Sequence, residues 1–307
     1  MAMQFRHRFS TEPCDEIPAG AGRGVTPMNV WPLASGSAAN ALVIESSTGE
    51  RLLVDCGLGP RALAGKLRAV GIAPESICGV AITHEHSDHI HGLKQACDKW
   101  RWPVLASAGT HVELSAMGVG GSAGGGARRV VLTHAQTTAH DGFDVTSIRI
   151  SHDAAEPMAF VVTCRASGAR VAVATDIGEI STTVLKAFEG VNALVLESNH
   201  DLGLLASGPY PIFLKQRIAS RSGHLSNADC AGALAALAHK GLTHIVLAHL
   251  SDVNNTPEVA RASAGLALRK CRWRGRLAVA GPDGLSGLSG FTVGSTARVP
   301  RQLEFAL

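Results

Sequence analysis

The sequence predicts a layered α/β domain with mixed β-sheets, and three observations carry that expectation. Hydrophobic residues make up 46% of the 307-residue chain but aromatic ones only 4%. Such an aliphatic composition fits strands covered by helices on both faces. Short Val- and Ile-rich runs alternate with longer stretches of helical periodicity. There is neither a short-period repeat nor a composition break, so one large domain is expected in place of two.

Taken in order, strands are expected at 29–33, 41–45, 52–55, 79–83, 143–151, 158–164, 170–175, 193–197 and 245–248, where β-branched and aliphatic residues cluster. Helices are expected at 60–70, 90–99, 178–188, 210–221, 227–240 and 257–271, several opened by Pro or by an Asn, Ser or Thr cap. Residues 1–27 read as an extension, 28–281 as the domain, and the Gly/Ser-rich 282–307 as a partly ordered tail. The glycine-rich stretch 118–126 reads as a surface loop.

The net charge of +3 is too small to imply nucleic-acid binding by itself. Seven scattered cysteines with no Cys-x-x-Cys fit reduced thiols in a cytoplasmic protein better than a disulfide framework. The first residues lack the apolar core of a signal peptide, and no uncharged run reaches the ~20 residues a membrane helix requires. A cytoplasmic protein without a membrane partner is therefore expected.

Thr83-His84-Glu85-His86-Ser87-Asp88-His89 packs three imidazoles and a carboxylate into six residues after an apolar run. Packing so many polar heads without metal would leave donors and acceptors unsatisfied. Imidazole and carboxylate together suit zinc, manganese or iron. Other candidates share a position: His152, Asp176, His200 and His249 each follow an apolar run, as His84 does. Open α/β sheets gather ligands outside the carboxyl ends of their strands, so residues distant in sequence can converge there. By reach and charge, His84, His86 and His152 would hold one divalent cation and Asp88, His89 and His249 a second, with Asp176 bridging. That leaves a position for a shared water, which two cations would turn into a hydroxide nucleophile near neutral pH. The isolated His111, His134, His140 and His239 read as hydrogen-bonded structural residues.

These residues resemble the metallo-β-lactamase-fold superfamily, whose metal motif reads His-x-His-x-Asp-His. Further segments resemble its YycJ (WalJ) branch: Leu33-Ala34-Ser35-Gly36-Ser37 with Asn40, Leu53-Val54-Asp55-Cys56-Gly57-Leu58, Ser151-His152-Asp153-Ala154-Ala155-Glu156-Pro157 and Thr175-Asp176-Ile177-Gly178. Glu197-Ser198-Asn199-His200-Asp201, Gly223-His224-Leu225-Ser226-Asn227 and His249-Leu250-Ser251 with Asn254-Asn255 follow in the same order. The resemblance implies a four-layer αββα sandwich of two mixed sheets, and a dinuclear phosphodiesterase site related to those of tRNase Z and the PhnP cyclic phosphodiesterases. It further implies a metal-dependent nuclease: a five-prime-directed DNA exonuclease linked to DNA repair, with DNA before RNA as partner and homo-oligomerisation left open. The same seven residues take the ligand roles by motif position, with Asp88 also counted in the catalytic set.

Asp55 matches an aspartate that orients the site from behind the ligands, although Asp-Cys-Gly after a strand is also an ordinary turn. His224 matches a histidine near the leaving group and is the expected proton donor, with a capping-loop histidine as the alternative. Lys215, Arg217 and Arg221 share one predicted helix and would grip phosphates, or form a solvated basic face. Ser35, Ser37 and Asn40 would offer hydroxyls and amides to a phosphate, or simply form a turn. Asn199 and His200 complete the substrate-facing set.

Other functions of the same fold remain in view. Asp88-His89 argues against a lactamase but not against a thioesterase, and His86 stands where an oxygen-reducing di-iron protein would carry an acid. A small-molecule phosphodiesterase is a further alternative. A non-enzymatic, metal-stabilised regulatory protein would bind metal without turnover. Gly120-Gly121-Ser122-Ala123-Gly124 matches the Gly-x-Ser-x-Gly of serine hydrolases but lacks the strand and helix that elbow requires. The glycines at 20–24 follow no strand and are no dinucleotide fingerprint.

Overall fold

The computed structural model describes residues 27–119 and 127–294. Almost all of the expected extension, the Gly-x-Ser-x-Gly match with most of its loop, and the chain after 294 lie outside the described residues.

The first half runs β1 (Met28–Ala34), β2 (Ala41–Glu45), β3 (Arg51–Val54), α1 (Pro60–Ala69), β4 (Ile77–Ala81), α2 (Ser87–Ile90), α3 (Leu93–Trp100), β5 (Val104–Ser107), α4 (Ala108–Ala116) and β6 (Arg129–Leu132). The second half runs β7 (Gln136–His140), β8 (Phe143–Arg149), β9 (Met158–Cys164), β10 (Arg170–Ala174), α5 (Thr182–Phe188), β11 (Ala193–Glu197), α6 (Leu202–Ser207), α7 (Ile212–Ile218), α8 (Asn227–Leu237), β12 (His244–Ala248), α9 (Pro257–Lys270), β13 (Arg276–Val279) and β14 (Phe291–Val293).

These strands form two seven-stranded sheets, ordered β14-β1-β2-β3-β4-β5-β6 and β13-β12-β11-β10-β9-β8-β7. Both are mixed. β1, β2 and β3 pair antiparallel before β3 to β6 run parallel, while β7 to β10 pair antiparallel before β10 to β13 run parallel. Alternate residues of both sheets, among them Val30, Ile44, Phe143, Phe160, Val171 and Val195, meet in one core between them. The outer face of the first sheet packs Val43, Leu53 and Val80 against Leu63 and Leu67 of α1 and Leu93 of α3. That of the second packs Ile148, Val161 and Leu194 against Phe188 of α5, Leu234 of α8 and Leu268 of α9. The result is the expected four-layer αββα sandwich.

The ends of the helices have local causes. Ser181, Asp201, Ser226 and Thr256 accept backbone N–H bonds at the starts of α5, α6, α8 and α9. The helix expected over 90–99 splits at Gly92, where any Cβ would stand 1.9 Å from Leu58 O. The helix expected over 210–221 is shorter because the chain turns back at Gly223, whose hypothetical Cβ would lie 2.2 Å from Arg217 O. Arg221 consequently sits beyond α7. Strands β5, β6, β7, β13 and β14 and helices α4 and α6 were not anticipated. β14 falls within the expected tail and pairs with β1, matching Met28 to Val293.

Candidate metal centre

The carboxyl ends of β3, β4, β10, β11 and β12 bring the candidate residues to one edge of the sandwich. Three leave their strand in an unusual conformation: Asp55, Asp176 and His249 have φ of 58°, 55° and 52°. Left-handed backbone at residues other than glycine is strained by order 1–3 kcal/mol and collects at functional sites. Here it turns each side chain off the end of its strand toward the histidine cluster, Asp55 behind His89 and Asp176 beside it.

Two donor groups result. The donor atoms of His84, His86 and His152 lie within 4.8 Å of one another, as do those of Asp88, His89, Asp176 and His249. Asp176 stands between the groups: its Oδ2 is 2.9 Å from His89 Nε2, while its Oδ1 is 3.8 Å from His152 Nε2. Hydrogen bonds from behind orient the rings. His152 Nδ1 donates to Gly223 O at 3.0 Å, which leaves Nε2 as the lone pair facing the site. His89 Nδ1 lies 2.8 Å from Asp55 Oδ2, and the Asp55 carboxylate also accepts from Thr83 N and Oγ1. Asp55 is thus a buried positioning residue behind His89.

The donor set fits divalent cations. His84 Nε2 is buried and makes no hydrogen bond, and Asp176 Oδ2 has only His89 Nε2 beside it at 2.9 Å. Buried polar atoms are nearly always satisfied, so a cation at the His84 lone pair would complete it. The rings of His84, His86 and His152 crowd together with centroids 4.5–5.0 Å apart. Mixed nitrogen and oxygen donors suit zinc, manganese or iron equally.

Charge at the site is strongly coupled. Burial and neighbouring His89 hold His84 well below the ordinary imidazole range, and burial lowers His152 as well, so both rest neutral. For His249, burial is outweighed by Asp176, Asp88 and Glu197, which push it up to about 10. Burial of His89 is likewise overcome by Asp55 and Asp176, which raise it. The carboxyl of Asp176 is held well below its usual range by His249 and His89 against the opposing effect of burial. Bonds from His249 and His89 do the same for Asp88.

Glu197 was missed by sequence reasoning. It is fully buried at the end of β11, where Oε1 accepts from His249 Nδ1 and His224 Nδ1, both at 2.9 Å, and Oε2 accepts from Ile177 N and Leu225 N. The available signal was a lone carboxylate closing an apolar run. His200, chosen after that same run, is 1% exposed with neither ring nitrogen hydrogen-bonded, and so it does not face substrate.

Other substrate-facing expectations need correction too. Ser35 is buried, and its hydroxyl accepts from His249 N at 2.8 Å. Buried Asn40 donates to Asp88 Oδ2 at 3.1 Å and to Gly36 O. Both are engaged behind the candidate ligands His249 and Asp88, and the Asn40 amide is bonded through both its oxygen and its nitrogen. Ser37, Asn199, Arg217 and His224 line an open cleft beside the centre. Arg217 is paired there with Asp153. Asn199 is anchored by donating to His249 O. Lys215 instead donates to Ala206 O, and Arg221 pairs with Glu179 at 2.8 Å. Of the three cations, Arg217 lines the cleft. The isolated histidines bond to backbone: His111 to Val130 O, His140 to Cys78 O, His239 to Val191 O, and His134 to Arg149 N.

A four-layer αββα sandwich with a His- and Asp-rich cluster at its strand ends defines a metallo-β-lactamase-fold hydrolase. A family profile described as a beta-lactamase superfamily domain matches residues 50–250, and the chain belongs to that superfamily, within the branch that holds YycJ and WalJ. It is 35% identical to exodeoxyribonuclease YycJ of Bacillus anthracis over 78% of this chain and 88% of that one. With exodeoxyribonuclease WalJ of Streptococcus pneumoniae serotype 2 it shares 33% identity over 74% and 83%. The fold is also that of YhfI from Bacillus subtilis, a metallo-β-lactamase-fold protein: TM-score 0.64 at 17% identity, covering 87% of this chain and 99% of that one.

Proposed function

We propose that the protein is a metal-dependent phosphodiesterase that degrades DNA from the five-prime end. The observation that supports the reading is the convergence of two donor groups at one edge of the sandwich, one of them holding the buried, unbonded His84 Nε2, beside the cleft-lining His224 that Glu197 holds from behind. The exodeoxyribonuclease names of the relatives support DNA as the polymer.

In this reading His84, His86 and His152 would hold one cation and Asp88, His89 and His249 the other, with Asp176 placed to serve either. Bound cations supply Lewis-acid polarisation of the phosphoryl oxygens and activation of water. The chain's own residues do the rest. Asp55 and Glu197 fix the rings of His89 and His249, so the ligands meet substrate without rearrangement. His224 keeps its Nδ1 proton against Glu197, and its own basicity is raised because Glu197 outweighs the effect of burial. Nε2–H is then the group available to protonate the departing sugar oxygen, a role worth about 10²–10⁴-fold.

The test supplies purified protein with Zn, Mn or Fe and offers end-labelled DNA, RNA of the same sequence, methyl p-nitrophenyl phosphate and a glutathione thioester. DNA shortened from the five-prime end, with activity lost in Asp88→Asn, is expected. Thioester turnover without phosphodiester turnover would reverse the assignment.

A further inference from the structure

The cleft beside His224 has a wall that the metal chemistry does not use. Tyr210, the sole tyrosine of the chain, lines it together with Leu214 and Ile218 of α7. Leu214 and Ile218, four residues apart on α7, share one face of that helix, and Tyr210 precedes the helix and lines the same cleft. Ser251 lies across from them and His224 completes the cleft. The Tyr210 hydroxyl makes no hydrogen bond among the described residues. Arg217, the cation on this wall, is already paired with Asp153 through Nε at 2.9 Å. What the wall offers is therefore an aromatic face and two aliphatic side chains next to the proton donor.

We infer that this wall is a nucleoside subsite, with Tyr210 as the platform on which a base stacks. The inference rests on the phosphodiesterase reading and names the part of the substrate held there: the nucleoside whose sugar oxygen departs. His224 would protonate that oxygen, so the sugar must lie against His224, and its base must extend over the wall that shares the cleft. Stacking on an aromatic ring is tolerant of sequence, because every base has a π-face. A degradative enzyme needs that tolerance. Tyr210 acts here as a binding residue, and its hydroxyl is dispensable.

Titration calorimetry with deoxyadenosine monophosphate and with deoxyribose 5-phosphate tests the subsite apart from turnover. Wild type and Tyr210→Phe are expected to bind the nucleotide roughly tenfold tighter than the sugar phosphate. Tyr210→Ala should bind the two within about twofold. Phe213→Ala, which removes an exposed ring not lining the cleft, should behave as wild type. Equal affinity for the two ligands in the wild type overturns the subsite, as does a loss in Phe213→Ala equal to that in Tyr210→Ala, which would indicate a general apolar surface. A parallel assay on oligonucleotides with a normal or an abasic five-prime residue separates the two readings. Base-dependent binding without cleavage would sink the nuclease assignment alone, and cleavage indifferent to the base would sink the subsite alone.

Discussion

At the scale of single residues, the centre is governed by which atom of each ring is already engaged. Glu197 takes Nδ1 of both His224 and His249, so one buried carboxylate orients the two rings that the proposed reading makes proton donor and metal ligand. Replacing it with Gln keeps the shape and removes the charge. Glu197→Gln is expected to weaken metal binding and turnover about 10–100-fold, read by titration with a metallochromic competitor and by DNA hydrolysis. An unchanged metal affinity would show that Glu197 serves His224 only. For His224→Ala, hydrolysis of DNA should fall by about 10²–10⁴-fold while release of p-nitrophenolate from methyl p-nitrophenyl phosphate changes less than about tenfold. The sugar oxygen is a poor leaving group that needs a proton, and p-nitrophenolate is not. Equal losses on both substrates would remove His224 from the donor role.

At the scale of elements, the ligand loop is seated by close backbone contacts as well as by side chains. Asn40 N donates to Asp88 O at 2.8 Å and Gly57 N to Asn40 O at 2.9 Å, tying the turn after β1 and the end of β3 to the start of α2. A Cβ at Gly57 would lie 1.8 Å from Asp88 O. Gly57→Ala must push that loop away, at a cost of about 1–3 kcal/mol for overpacking. A melting point several degrees lower and substoichiometric metal in elemental analysis are the expected results. A variant that melts like wild type and carries full metal would show that the loop yields freely.

At the scale of the whole molecule, the centre joins the two halves of the sandwich. His84, His86, Asp88 and His89 come from the first sheet's side and His152, Asp176 and His249 from the second's, so any cation held between them ties the sheets together. Ligands that bind only the native state stabilise it by mass action, about 4 kcal/mol at a thousandfold excess over Kd. Chelation is therefore expected to lower the melting temperature by several degrees, and added Zn or Mn to restore it, as followed by circular dichroism. No change on chelation would mean that the cations are not held across the interface.

The layered α/β class, the aliphatic core and the cluster from His84 to His89 were legible in the chain because local patterns specify them: apolar periodicity marks strands and helices, and donors close in sequence remain close in space. Long-range pairing was not legible. β14 owes its existence to β1, more than 250 residues away, and β7 carries Gln136, Thr137 and Thr138 where a strand rule looks for apolar side chains. The same limit explains Glu197, Asn40 and Ser35. Each is ordinary in its own segment and becomes a support for His249 or Asp88 only when separate strands deliver both to one edge. His200 differs for the converse reason: it follows an apolar run as expected, but its ring is buried while the preceding Asn199 lines the cleft. Which hydrogen bonds a buried side chain makes depends on neighbours that only folding brings within 3 Å, and those bonds decide which polar residues are free to meet substrate.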